Sequence, residues 1–275
     1  MPSPRKLNMA EWPKISIITP SYNQGDFIED TIRSVLSQDY PNLEYIIVDG
    51  CSTDSTLEIL QAYQDQLTWI SEPDRGQTEA INKGLKMASG EVLAYLNSDD
   101  LYLTGALHKV GAYFAENPHA NWLSAYCQNI DGNGHPIRRL IRIYKNFWLH
   151  TRSTRALLVL NFIAQPATFW RRCVTENIGP LDEDLYYTLE YDYWLRIGRA
   201  NKLHIIKKDL AAFRLHDSSK SGRTAFQQFD EELVVAKRYA SGLPIALHQL
   251  HANFQVFIYR NILRVGRRVG RHTAD

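Results

Sequence analysis

The order of apolar patterns in this sequence predicts an α/β fold: a mainly parallel, Rossmann-like sheet flanked by helices, with a helical extension at the C-terminus. Three observations carry that prediction. Short β-branched runs alternate with stretches of helical period through the first part of the chain. Loops containing Gly, Pro and Asn punctuate them. Acidic residues recur where the strand-like runs end, at Asp49, at Asp74 and at the pair Asp99 and Asp100.

Residues 14–19 (KISIIT) are the first strand candidate, and Pro20, Asn23 and Gly25 mark the loop behind it. Phe27, Ile28, Ile32, Val35 and Leu36 then recur at helical spacing up to Pro41. LEYIIVD enters the turn GCSTDS, and the spacing predicts a helix from Thr56 to Leu67. LTWIS, the loop EPDRG and a helix from about Thr78 to Ala88 repeat the unit, and EVLAYL is the fourth strand. The second half is less regular. NWLSAYCQNI, GNGHPIRRLIRIY and ATFWRR predict strands around a turn at Asp131–Gly134. Tyr186–Arg199 is predicted helical, and KLHIIKKDLAAFRLH a hairpin or two strands. Residues 224–239 and 245–268 are predicted helical, split at Gly242 and Pro244.

The chain's 275 residues allow one large domain or a domain with an appendage. A hydrophobic fraction of 44% with 22% charged residues argues against disorder and against a membrane-embedded chain. A net charge of +1 creates no global field that would recruit nucleic acid, although Arg260, Arg264, Arg267, Arg268 and Arg271 crowd the C-terminus. Cys51, Cys127 and Cys173 show no zinc or redox spacing and fit a reducing compartment. The first residues carry no apolar signal core, and no run approaches ~20 apolar residues. The expectation is a cytoplasmic protein, at most peripheral on the inner face of the membrane.

Ligands of open parallel sheets sit beyond the carboxyl ends of the strands. Asp49, Asp74, Asp99 and Asp100 thus bring carboxylates from three strand ends to one edge. Taken singly, Ser52, Thr53 or Asp54 reads as a helix cap or turn former. Adjacent carboxylates after a buried strand repel each other and resist desolvation, so a cation is expected to meet them. Hard oxygen ligands suit Mg2+ or Mn2+, which keep waters and share phosphate oxygens. No Gly-x-x-x-x-Gly-Lys loop is present and no Gly-x-Gly-x-x-Gly follows the first strand, so neither a P-loop nucleotidase nor a nicotinamide enzyme is supported. A phosphatase of the haloacid dehalogenase type wants an Asp two residues after Asp49, where Cys51 stands.

ISIITPSYNQGDFIEDTIRSVLSQDYPNLEYIIVDGCSTDST, followed by EPDRGQTEAINKGLKMASGEVLAYLNSDD, resembles the nucleotide-sugar-binding half of family 2 glycosyltransferases with the GT-A fold. The likeness runs from about Ile15 to Leu107, more weakly to about Ser221. It implies a GT-A domain over residues 12–222, with a donor-binding half at 12–125, an acceptor-side half at 126–222, and a helical extension at 223–275. It also implies that Thr19, Pro20 and Tyr22 line the base pocket and that Asp49 accepts a hydrogen bond from uracil or an equivalent base. Asp74 and Asn82, with Lys83 nearby, fall where the family holds base, ribose and diphosphate; Asp99 would touch ribose or metal and Asp100 the metal. Asn97 departs from the family's Asp-x-Asp pattern, and Gly50 and Cys51 replace the more usual Asp-Gly.

An inverting transfer needs a carboxylate that takes the acceptor hydroxyl's proton. In YYTLEYDYWLRIG the candidates are Glu190 and Asp192; aligned on DYWLR, Glu190 falls at the family's catalytic acid, whereas Asp192 also suits a helix cap or salt bridge. The family resemblance makes His216 a candidate metal or diphosphate ligand, with Arg214 and Lys220 offsetting phosphate charge. Gln165 and Trp170 border the acceptor site in the family, although a core position also fits Trp170. The implied donor is a nucleoside diphosphate sugar, a UDP-sugar by preference, and the acceptor a saccharide or lipid-linked saccharide of surface polysaccharide or lipopolysaccharide assembly. A silent nucleotide-sugar-binding module and a metal-dependent nucleotidyltransferase are the alternatives. The basic, amphipathic C-terminal stretch suits packing on the protein's own core, or peripheral contact with an anionic membrane.

Overall fold

The computed structural model describes residues 12–216, 219 and 225–258. Its first half is the predicted alternation: β1 (Ile15–Ser21), α1 (Ile28–Leu36), β2 (Leu43–Asp49), α2 (Thr56–Ala62), β3 (Thr68–Ser71), α3 (Gln77–Met87) and β4 (Val92–Tyr95). Parallel neighbours cannot be joined by a tight turn, and α1, α2 and α3 supply the crossovers. β1 pairs in parallel with β2 and β4, and β2 with β3. β1 is buried along its whole length, as a central strand covered on both faces must be.

The chain continues through β5 (Leu101–Tyr102), α4 (Ala106–Glu116), β6 (Trp122–Asp131), β7 (Pro136–Ile137), α5 (Arg139–Thr151), α6 (Thr154–Leu157), β8 (Thr168–Arg171), α7 (Arg172–Ile178), α8 (Leu189–Ile197), β9 (Leu203–Leu215), α9 (Ala225–Tyr239) and α10 (Leu243–Ile258). Among the described residues the sheet runs β3-β2-β1-β4-β8-β6-β9-β5, with β7 on β6. β8 pairs antiparallel with both β4 and β6, so the parallel half gives way to a mixed half at β4.

Two apolar layers sandwich this sheet. One packs α1, α2 and α4 through residues such as Ile32, Leu60, Val110 and Phe114. The other packs α3, α8 and α9 through Ile81, Leu85, Trp194 and Val235. Helix α3 lies so close to β1 that a Cβ on Gly84 would stand 2.3 Å from Ile18 Cγ2. Among the described residues no helix is long and apolar enough to cross a membrane. The three cysteines are free.

Two predictions for the second half are corrected. The segment after Gly134 holds only the two-residue β7 before turning helical, because Arg138 at φ 51° takes the chain out of the strand. Its apolar residues then follow the helical period rather than alternation. KLHIIKKDLAAFRLH is one strand and not a hairpin: β9 runs parallel to β6 throughout, and Lys207 and Lys208 fall in the register break between Ile206 and Asp209. The bulge absorbs the polar pair without reversing the chain.

Glu44 ties β2 to its neighbours, accepting hydrogen bonds from Lys14, from the Ser16 hydroxyl and from the Ser89 N–H and hydroxyl. Partial burial raises its pKa, but these hydrogen bonds outweigh burial and hold it at about 2, against an ordinary 4.5. With the folded value depressed, the stabilisation is present above the unfolded pKa and is lost as pH falls through that window. Glu44→Gln is expected to remove part of the stability lost between about pH 4.5 and 2, as measured by urea unfolding across that range.

Candidate functional site

Asp49 ends β2 with no exposed surface, and its carboxyl oxygens are held by donors from the turn that follows and from the end of β3. Ser52 N and Ser71 Oγ donate to Oδ2 at 2.9 and 2.7 Å, and Ser52 Oγ donates to Oδ1 at 2.5 Å. A carboxylate offers about four acceptor positions, so roughly one, on Oδ1, takes no hydrogen bond from the described residues. Opposite Asp49 in the β1–β2 register is Ser21, a buried hydroxyl with no hydrogen-bond partner among the described residues. Asn23, Gln24 and Gly25, in the loop after β1, donate backbone N–H groups to Ser52, Thr56 and Asp54 side chains. Ser52 and Asp54 thus fix the loops around Asp49, the turn-forming role their residue types suggest.

Thr19 is buried with its hydroxyl 3.1 Å from the Tyr45 hydroxyl, so its side chain faces the core rather than the crevice. Pro20 is buried, whereas Tyr22 is 60% exposed at the rim.

The Gly50–Cys51 departure has a structural consequence. A Cβ on Gly50 would lie 2.7 Å from Asp74 Oδ2, so the acid after β3 closes on the turn after β2. Burial, with Asp49 among the contributing charges, raises the Asp74 pKa against the Gly76 N–H and Lys83, which lower it. Cys51 adopts φ 63°, the left-handed region that favours Gly. Cys51→Gly is expected to raise the unfolding free energy by up to about 1 kcal/mol, measured by denaturant titration, because relief of strain exceeds the added chain entropy.

After β4, the Asp99–Asp100 pair is built into the sheet by β9. Arg214 N donates to Asp100 Oδ1 at 2.9 Å, and Asn97 Nδ2 lies 3.3 Å from Oδ2. Burial first, then the neighbouring Asp99 charge, pushes the Asp100 pKa well above the usual carboxylate range. The Arg214 guanidinium donates to the Asp99 and Gly132 carbonyls and pairs with Asp30, while packing on the Phe27 ring. It is nearly all buried, so it shapes the turn carrying the acids. Asp99 retains access to solvent, and its Oδ2 lies 3.0 Å from His216 Nε2. Lys220 lies outside the described residues.

Asn97, standing where an acid is usual, joins this edge to α3: Gln77 Nε2 donates to its Oδ1 at 2.7 Å. Gln165 is nearby, its amide anchored on the Tyr95 carbonyl at 2.6 Å and its Oε1 3.5 Å from Asn97 Nδ2. Trp170 takes the core alternative. It is fully buried against Tyr193 and Trp194 with its N–H on Thr175, so no ring face is open to a sugar.

The two acids of α8 separate cleanly. Asp192 is 2% exposed, with Arg196 Nε donating to Oδ2 at 2.8 Å and the Tyr239 hydroxyl to Oδ1 at 2.5 Å. It is a structural acid that locks α9 to α8. Glu190 is half-buried in the first turn. Burial first, then the Glu190 and Asp100 charges, pushes the Tyr95 hydroxyl pKa far up, so both acids bear on one phenol at the end of β4. Glu190 also acts on Lys145 of α5, as does Glu232. Glu231 of α9 fixes the approach to α8, accepting from Tyr186 N, Tyr187 N and the Thr188 hydroxyl.

Asn82 serves the same segment from the other side. Its amide donates to the Leu181 carbonyl and Glu183 and accepts from Leu181 N, which staples α3 to the chain leading to α8. A cavity of about 190 Å³ beside it is lined by Arg75, Glu79, Lys83, Lys86 and Glu183, most of them already ion-paired.

Among the described residues no cluster of three or more His, Cys, Asp and Glu side chains forms a ready metal cage. The donor chemistry still fits a divalent ion shared with a ligand: Asp99 offers a carboxylate oxygen and His216 an imidazole nitrogen side by side, and Mg2+ or Mn2+ sites commonly take remaining positions from phosphate and water.

Sequence reading alone did not identify Ser21, Ser71, Gln77, Tyr95 or Lys145.

The profile of Glycosyl transferase family 2 matches residues 16–179. Over 123 residues the chain is 43% identical to the putative teichuronic acid biosynthesis glycosyltransferase TuaG of Bacillus subtilis, a match covering 43% of this chain and 49% of that protein. The chain thus spans about half the length of that relative. It is 33% identical over 129 residues to the poly(ribitol-phosphate) beta-N-acetylglucosaminyltransferase TarS of Staphylococcus aureus, covering 45% of this chain and 22% of TarS. Among solved structures, the mannosyltransferase PcManGT from Pyrobaculum calidifontis, in complex with GDP-Man and Mn2+, aligns with a TM-score of 0.65 at 21% identity, covering 88% of this chain and 69% of that one. S. aureus TarS 1–349 in complex with UDP-GlcNAc gives 0.62 at 21% identity, covering 90% and 73%. The shared fold is GT-A.

Proposed function

Because the chain belongs to glycosyl transferase family 2, we propose that it is an inverting glycosyltransferase that moves a sugar from a nucleoside diphosphate sugar, a UDP-sugar, to an acceptor hydroxyl. The observation that supports this reading is that Asp49, Asp74, Asp99 and Asp100 all lie at or just after the carboxyl ends of neighbouring parallel strands, while the charges of Glu190 and Asp100 both bear on Tyr95. The crystallised TarS with UDP-GlcNAc supports a UDP donor, and TuaG and TarS support an acceptor in surface polysaccharide assembly, free or lipid-linked. Free cysteines suit a cytoplasmic setting.

In this mechanism the last acceptor position of Asp49 Oδ1 takes a base N–H, with Tyr22 at the pocket rim and Ser21 beneath. Asp74 reaches the ribose side. Asp99 and His216 would hold Mg2+ or Mn2+, which when bound neutralises diphosphate charge. Asp100, Arg214 and Asn97 hold the turn that aims Asp99. Gln165 borders the acceptor side, and Asn82 and Glu231 position α8. Glu190 takes the proton from the acceptor hydroxyl as its oxygen bonds to the anomeric carbon. The bond from that carbon to the diphosphate breaks, and its electron pair leaves on the diphosphate oxygen.

The test is release of UDP from a panel of UDP-sugars with Mn2+, since water can replace the acceptor slowly. Release from one sugar nucleotide above the no-enzyme rate supports a transferase. Tight nucleotide binding with no release for any sugar, with or without saccharide acceptors, would indicate a silent binding module.

A further inference from the structure

We propose that α5 and α10 together form a face that seats the protein on an anionic membrane surface. On α5, Leu140, Ile143 and Phe147 stand exposed at i, i+3 and i+7; on α10, Leu247, Leu250 and Phe254 repeat the same spacing. Such a spacing makes an apolar stripe on each helix. The stripes are neighbours, because Tyr144 of α5 stacks on His251 of α10 with ring planes 13° apart and its hydroxyl 3.1 Å from Nε2. Apolar side chains this exposed, up to 81% at Leu140, form a patch of the kind that marks an interaction surface.

Charge identifies the occupant. The whole chain carries 30 acidic residues, yet none lies between Asp131 and Glu176, a stretch that includes α5 and has eight Lys and Arg. Helix α10 itself, Leu243–Ile258, also has no acidic residue. The two acid-free segments are thus the two that carry the stripes. Arg139, Arg152 and Arg155 are exposed along or just beyond α5, while Arg142 is paired with Asp209. An apolar stripe flanked by the exposed arginines of α5 and continued on an uncharged α10 matches a bilayer of anionic headgroups over acyl chains. A second copy of the chain would set two cationic faces against each other, which disfavours self-association. Nucleic acid offers the charge without the apolar layer.

Vesicle flotation of the full chain tests this. With equimolar phosphatidylglycerol and phosphatidylcholine the bound fraction is expected to exceed that with phosphatidylcholine alone by about tenfold, and to fall in high salt. Leu250→Glu and Phe147→Glu, both at exposed positions, are each expected to lower binding by about tenfold with the thermal midpoint and UDP binding unchanged. Absence of flotation, or binding that neither substitution weakens, overturns the proposal. So does a dimer in sedimentation that Leu250→Glu dissociates, which would make the face a self-interface.

Discussion

Glu190→Gln is expected to lower turnover by about 10²–10⁴-fold while the Kd for UDP stays within about twofold. The amide preserves size and most hydrogen bonds but cannot accept the acceptor's proton. Donor binding is governed by the strand-end residues of β2 and β4, whereas Glu190 stands on α8, so the loss is expected to fall on kcat. The sister acid cannot stand in, because both Asp192 oxygens are already committed to Arg196 and Tyr239. Asp192→Asn should instead lower the melting temperature by loosening α9 from α8. Full activity in Glu190→Gln would remove the proposed base.

Asp99→Ala is expected to weaken Mn2+-dependent UDP binding on the order of 10²-fold and to leave metal-free binding unchanged. Asp99 is the acid of the pair that reaches solvent and sits against His216. Asp100 is a poorer probe: it is fully buried and accepts the Arg214 N–H, so its loss disturbs the sheet as well as the site. His216→Ala should cause a smaller loss with the same metal dependence. Titration calorimetry of UDP with Mn2+ and with chelator separates the two contributions.

The parallel quartet was legible because each of its strands is a short β-branched run and each crossover keeps a helical period. The acids were legible for the same reason, since a strand's end fixes where its next residues emerge. Beyond β4 those rules weaken. Helix α4 went unassigned although Leu107, Val110 and Phe114 follow a helical spacing. The α5 segment is rich in Ile and Tyr, which favour strands, and this masks the helical spacing of Leu140, Ile143 and Phe147 that follows the turn at Arg138. Glu190 and Asp192 lie two residues apart, too close for spacing to rank. Their difference rests on the i,i+4 partner Arg196, which the sequence does carry, and on Tyr239, which lies far along the chain and which no local pattern shows. Arg214 has the residue type of a phosphate ligand, and only its contacts reveal that it is spent inside the fold.

Thermal stabilisation by UDP, GDP, CDP and dTDP, each with Mn2+ and with chelator, tests the central claim most directly. A rise in melting temperature with UDP that requires Mn2+ and disappears in Asp99→Ala is expected. No shift with any nucleotide in folded protein, or an equal shift with chelator, would contradict it.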